Sequence, residues 1–271
     1  MTAVDTPARP AGAAGLPSLR GTTAPPLGRL VGVELRKVRD TRAGAWLLVT
    51  IALVVLGIIA MGTLWGVNAT ASFGSFVSVQ VMPLQLLVPM VAVLAVTGEW
   101  SQRGALTTFA LVPRRGRVVA AKALAVLLVT LATAALGVAV AAVGIVVGSA
   151  LHDAPAAWDL TADQAARFLL VTVLSAAVGF AVGVLIRSSA PALVAYLGFV
   201  LIVPMLSAIA ASYVAWWAAH GLWFDLATAL QTFAAPQVTG ETWAQLGTST
   251  LLWVGVPLAF GLRGLLRTEI R

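Results

Sequence analysis

The chain has 271 residues, of which 60% are hydrophobic and only 10% charged, with a mean hydropathy of +0.97. Soluble globular domains carry about a quarter of their residues as charges, so that class is excluded, and six membrane spans with modest loops leave no room for a separate catalytic domain. The net charge of +7 would point to nucleic acid in a soluble protein, but here basic loops facing anionic inner-leaflet lipids account for it, and no nucleic-acid partner is expected.

Residues 1–28 contain Pro7, Pro10, Pro17, Pro25 and Pro26 among Ala, Gly and Thr, and no apolar core. They read as a disordered cytoplasmic tail and not as a signal peptide. Residues 29–271 read as one six-span domain. Its first element, residues 29–43, has Leu27, Val31, Leu35 and Val38 at helical spacing, with Arg29, Arg36, Lys37, Arg39 and Arg42 on the wet side. This pattern predicts an amphipathic helix lying at the inner membrane surface. Arg36 and Asp40 stand four apart and are placed to pair, for a few tenths of a kcal/mol.

A helix needs about 20 apolar residues to cross the hydrocarbon core. Spans are predicted near 44–66, 81–98, 123–150, 166–186, 191–212 and 246–262. Their interiors hold no Asp, Glu, Lys or Arg, with Arg167 at an outer end; each such charge at mid-membrane costs roughly 2.5–3.5 kcal/mol. The third stretch exceeds one crossing, so it tilts or runs on into water. The predicted class is all-α: a polytopic membrane protein of about six transmembrane helices, with an interfacial N-terminal helix and both termini cytoplasmic.

The connections differ in kind. Residues 99–122 hold Trp100, Leu106, Phe109 and Ala110 at the spacing of a short helix ended by Pro113. The basic turn Arg114-Arg115-Gly116-Arg117 follows, with Lys122 at the membrane edge. Residues 151–165 are short and acidic. Residues 213–245 are too apolar for a solvated loop: Trp216, Trp217, Trp223, Phe224, Phe233 and Trp243 suggest an aromatic belt at the outer interface, with a re-entrant or surface-lying helix. Sixteen of the 17 basic residues fall in the tail, the surface helix and the connections on that same side, and Arg167 alone on the other. Because Lys and Arg are retained on the cytoplasmic face, this sorting orients the chain in a plasma membrane. Fifteen of those 17 are arginine, and with abundant Ala and Gly this is the usage of a high-GC bacterial genome.

Two stretches resemble the permease subunits of ABC transporters, in the type-2 exporter family. Such permeases begin with a surface helix patterned Glu-x-x-Lys, here Glu34 to Lys37, followed by Arg39 and Arg42. They carry a Glu at the inner end of the second span, then Gly-Thr, then Pro and a basic residue, then a Lys opening the third span. The stretch "GEWSQRGALTTFALVPRRGRVVAAK" has Glu99, Arg103-Gly104, Pro113, Arg114-Arg115, Arg117 and Lys122 in that order, with Ala105 where the family usually has Thr. The resemblance implies that 99–117 couples to a cytoplasmic ABC-type ATPase subunit through Glu99, Trp100, Arg103, Leu106, Phe109, Arg114, Arg115 and Arg117. It also implies a second permease subunit, identical or not, and a substrate path bordered by the second and fifth spans, which brings in Gln85 and Tyr196.

The bland readings stand beside these. The arginines serve as positive-inside anchors in contact with lipid headgroups, Glu99 caps or pairs with Arg103, the tryptophans anchor at the interface, and Gln85 packs helices. Pairs of glycines four apart (Gly62/Gly66, Gly144/Gly148, Gly179/Gly183) permit close helix contact. Neither Lys37 nor Lys122 follows a glycine, so no phosphate-binding loop is present and the ATPase is expected on another chain. No cofactor or metal is expected: the chain has no cysteine, and His152 and His220 are too sparse for a cluster. An ion-coupled secondary transporter, usually marked by an intramembrane Asp, Glu or His, and a scaffold or assembly protein without transport activity remain as alternatives.

Overall fold

The computed structural model describes residues 25–64, 72–101, 115–235 and 238–267, with the backbone alone at 99–101, 115 and 266–267. The predicted tail lies outside these except for residues 25–28. Among the described residues the chain is helical throughout, and an isolated bridge between Ser72 and Ala157 is the one β-type pairing. Six helices are long and apolar enough to cross a membrane. The protein is an all-α, multi-pass membrane protein.

Helix α1 spans Leu27–Asp40, two residues ahead of the predicted start. The first span is α2 (Arg42–Leu64), followed by the single turn-and-a-half α3 (Phe73–Ser78) and the second span α4 (Val81–Ser101). The third, α5, runs unbroken over Arg115–His152. Its 38 residues extend about 57 Å at 1.5 Å per residue, nearly twice the hydrocarbon core. The helix is thus longer than one crossing requires, and its N-terminal part is the platform on which α1 packs. The fourth span is α6 (Ala162–Ile186), opened by a capping box between Thr161 and Gln164.

The last two spans are each broken by a π turn. The fifth consists of α7 (Ser189–Leu197), the turn Gly198–Ile202 and α8 (Val203–Tyr213). The sixth consists of α11 (Gly240–Thr250), the turn Leu251–Gly255 and α12 (Val256–Arg267). Each turn sits just ahead of a proline, Pro204 or Pro257. A proline has no N–H for the carbonyl four residues back, and the wider i→i+5 bond absorbs the gap. Those wider bonds are Val203 N–H to the Gly198 carbonyl and Val256 N–H to the Leu251 carbonyl. Phe199 and Trp253, one from each π turn, meet with ring centroids 4.8 Å apart.

Helices α4 and α6 form the centre, with about half of each span buried, whereas α2, α7–α8 and α11–α12 bury a quarter or less and keep apolar faces outward. The central contact depends on glycine. A Cβ at Gly179 would collide with the Pro89 carbonyl, and one at Gly183 would press on Val96 at 3.1 Å. On α5, Gly144 lies against Ile59 and Phe76, and Gly148 against Thr63. These two glycine pairs therefore serve packing within the chain. Gly66, of the third pair, lies outside the described residues.

The apolar segment 213–245 folds as α9 (Ala215–His220), a 3-10 turn over Gly221–Trp223, and α10 (Leu226–Ala234). Helix α10 does not lie on a surface. It buries Leu226, Ala227, Leu230 and Phe233 against α6, α11 and α4, plugging that end of the bundle. Asp225 caps it by accepting the Thr228 N–H at 3.1 Å. The exposed aromatics Trp216, Phe224 and Trp243 ring the plug, as an interfacial belt would.

Candidate functional site

Polar side chains gather at both ends of the bundle. At the α1 end, the predicted apolar stripe is buried at Val31 and Val38, while Leu27 is exposed and Leu35 half-buried. Val31 packs on Ala121 and Ala125 of α5. Between Val31 and Val38 on this buried face lies Glu34, only 7% exposed. The sequence pattern put Glu34 and Lys37 on the interfacial helix and Lys122 at the start of the third span, without saying which way Glu34 faces. In the fold Glu34 turns inward, toward Lys122. Lys122 Nζ donates to Glu34 Oε2 at 2.7 Å, and Lys37 Nζ to Glu34 Oε1 at 2.8 Å. Lys122 also donates to the Ala95 carbonyl of α4 at 3.1 Å. One lysine thus ties α1, α5 and α4, and each carboxylate oxygen has a cation. Buried charges are tolerated only when paired in this way.

The remaining basic residues of this end spread around the tie. Asp40 pairs with Arg39 at 3.3 Å, both exposed, and not with Arg36 as predicted. A gain of tenths of a kcal/mol does not select between two long, solvated arginines. Arg42 is exposed at the start of α2. Arg117 donates to the Pro25 carbonyl at 2.7 Å, so this proposed docking residue is engaged within the chain, holding the segment that enters α1. Arg187, in the left-handed region at φ 57°, ends α6 and donates to the Gly261 carbonyl of α12 at 2.9 Å. Glu99 and Trp100 fall in the last turn of α4 and Arg115 at the first residue of α5, with their side chains outside the described set. Arg103, Leu106, Phe109 and Arg114 lie outside the described residues.

At the opposite end the two substrate-path candidates touch each other, for a reason written in the sequence. Pro89 cannot donate to the Gln85 carbonyl, so α4 carries an orphan acceptor at that point. The buried Tyr196 hydroxyl, from α7, donates to it. The Gln85 carboxamide nitrogen, by contrast, has no partner although the residue is only 5% exposed. Gln85 lines a cavity of about 610 Å³ between α3, α4, α6 and α10.

Three residues here carry roles that the sequence reading missed. Gln80 is fully buried and donates to the Phe76 and Gly137 carbonyls at 2.8 and 3.1 Å, tying the α3–α4 junction to α5. A lone amide at the mouth of a span was its visible signal. Arg167, the one basic residue expected outside, is buried: it pairs with Asp163 at 2.9 Å and donates to the Ala235 carbonyl, fastening the end of α10. Asp159 accepts the Gly74 N–H at 2.8 Å. Bonds from Ser72 and Gly74 to the charged form hold its carboxyl below the usual range. His152 and His220 bond to the Thr63 and Trp216 carbonyls, at 2.9 and 3.0 Å.

Chemically, the α1 end offers a stiff ionic joint between a surface helix and two spans. The other end offers a roomy cavity that Gln85 and the Asp159 carboxylate border. Compared with known proteins, the chain matches no family model and no curated sequence.

Proposed function

We propose that this chain is the membrane-spanning permease subunit of an ATP-driven exporter of the ABC type. A separate cytoplasmic ATPase engages the connection between α4 and α5, and a second permease subunit completes the transporter in the plasma membrane, with both termini inside. The observation that carries this reading is the Glu34–Lys37–Lys122 joint. It unites the two motifs on which the family resemblance rests, the Glu-x-x-Lys helix and the lysine opening the third span. The joint spans both helices that flank residues 102–114. A push delivered there would reach α1, α4 and α5 as one body, which is how rigid elements pass motion between sites.

The absence of cysteine makes the test direct. A Phe109→Cys variant carries a single thiol, from which crosslinking in native membranes reports one location. Recovery of an ABC-type ATPase, lost when the thiol is moved to Trp223, is the expected result. Lipid adducts alone from every position in 99–117 would overturn the reading.

A further inference from the structure

We propose that the outer half of the fifth span, α8 together with α9, is an arm that pivots on the π turn Gly198–Ile202 and latches onto Phe224 at the start of the plug. The inference concerns a motion built into the fold and holds whether or not the chain transports anything.

The two broken spans share a local feature but not their surroundings. In the sixth, both sides of the turn are held. Helix α11 buries Leu246 and Ser249 beside α10, and α12 is fastened where Arg187 donates to the Gly261 carbonyl at 2.9 Å. Trp253, within that turn, gives its indole N–H to the Phe224 carbonyl at 2.6 Å. In the fifth, only the inner side is held. Helix α7 buries Ala192 and Tyr196, and the Ser189 hydroxyl bonds with that of Thr97 at 2.8 Å. Helices α8 and α9 bury no residue at all. Their side-chain hydrogen bonds also stay within the arm, from Ser212 to the Ile209 carbonyl, from Trp217 to Ser207 and between His220 and the Trp216 carbonyl.

A proline-pinned π turn is a soft point, because Pro204 supplies no N–H and the helix lacks a bond there. Bending at that point leaves the remaining helical bonds of α8 closed, as a lipid surrounding requires. Phe199, buried in the turn against the tethered Trp253 ring, gives the arm a fixed bearing. Such an arrangement is a hinge, whereas the sixth-span turn is clamped.

The latch is aromatic. Trp217 stacks on Phe224 with centroids 6.0 Å apart and planes 23° apart, and Trp216 approaches the same ring at 6.0 Å. Gly221 leaves room for it, since a Cβ there would stand 2.9 Å from Trp217 Nε1. Ring contacts of this kind are individually weak. The Trp217 N–H is satisfied by Ser207 at 3.0 Å inside the arm, so release of the stack strands no donor.

The full-length chain in phospholipid nanodiscs provides the test, because without native cysteine paired thiols can carry spin labels. Distances are read by pulsed electron spin resonance from Gln231→Cys on the plug to Ser212→Cys on the arm, Val194→Cys on α7 or Thr248→Cys on α11. The Val194 and Thr248 pairs should each give one narrow distance throughout. The Ser212 pair should show a second, separate distance. Phe224→Ala, which spares the carbonyl that Trp253 holds, should raise the fraction at that second distance about fivefold. Gly221→Ala, which wedges Trp217 off Phe224, should act in the same direction. Pro204→Ala supplies the N–H for an unbroken helix and should remove the second distance. A single narrow Ser212 distance in both latch variants, a second distance that survives Pro204→Ala, or matching changes in the Thr248 pair would each overturn the proposal.

Discussion

At the α1 end, Glu34 and Lys122 are buried charges with counter-charges within 2.8 Å; at the other end, Gln85 is a buried neutral amide whose nitrogen has no partner. By desolvation alone the charges are the far costlier burial. They persist because three helices converge to satisfy them, and removing one partner would strand the rest. The amide is neutral, so leaving its nitrogen alone costs about 1–3 kcal/mol, which one site can bear. Satisfied polar burial marks a joint; the isolated nitrogen is a local cost, as is the buried Gln80 Oε1.

The largest expected effect breaks the joint. Lys122→Ala leaves Glu34 buried with Lys37 alone and strips the Ala95 carbonyl of its donor, which should cost about 3–5 kcal/mol. Thermal unfolding in detergent would register it, and Lys122→Met combined with Glu34→Leu should recover most of the loss. A Lys122→Ala protein as stable as wild type would show that the tie holds nothing.

Tyr196→Phe comes next. It returns the Gln85 carbonyl to the orphan state that Pro89 created, for a cost of about 1–3 kcal/mol. Restoring a backbone donor with Pro89→Ala in the same chain should cancel much of it, and additive losses in that double-mutant cycle would refute the link.

Gln85→Met sharpens the comparison by its sign. Replacing a partnerless amide with an apolar chain of similar length should raise stability by about 1 kcal/mol, where loss of a satisfied group lowers it. A drop in melting temperature would mean that the amide is paired after all.

The smallest effect is present at neutral pH and fades in acid. The folded carboxyl of Asp159 titrates below the ordinary value of 3.8, so its contribution is fully present above that value and disappears as pH falls through the lower folded pKa. Asp159→Asn should therefore lower stability slightly at neutral pH and converge on wild type as pH falls, flattening the acid limb of the stability–pH curve. An identical acid limb would remove Asp159 from the account.

Much of the architecture was legible in the chain, because hydrophobic runs carry their own transfer energy. Six long apolar helices overlap the predicted stretches, and α5 and α11 begin eight and six residues earlier than the apolar runs, where polar residues continue the helix. The long third stretch was readable for the same reason. The sites were not. The Glu-x-x-Lys pattern did not say which way Glu34 faces, and the aromatic stretch near 225 concealed a buried plug because a belt and a core use the same residues. Gln85 and Tyr196 were singled out separately; only Pro89, four residues after Gln85, hinted that a backbone carbonyl there would need a donor from elsewhere.

The sequence by itself determined the class, the number of spans and the sorting of basic residues, since insertion depends on short runs summed locally. Tertiary structure alone decided that Lys122 meets Glu34 across 88 residues and Tyr196 meets Gln85 across 111. Such pairings depend on which helix faces pack together. That choice is set by glycines fitting against a neighbour's backbone and by the cost of leaving any buried polar group alone.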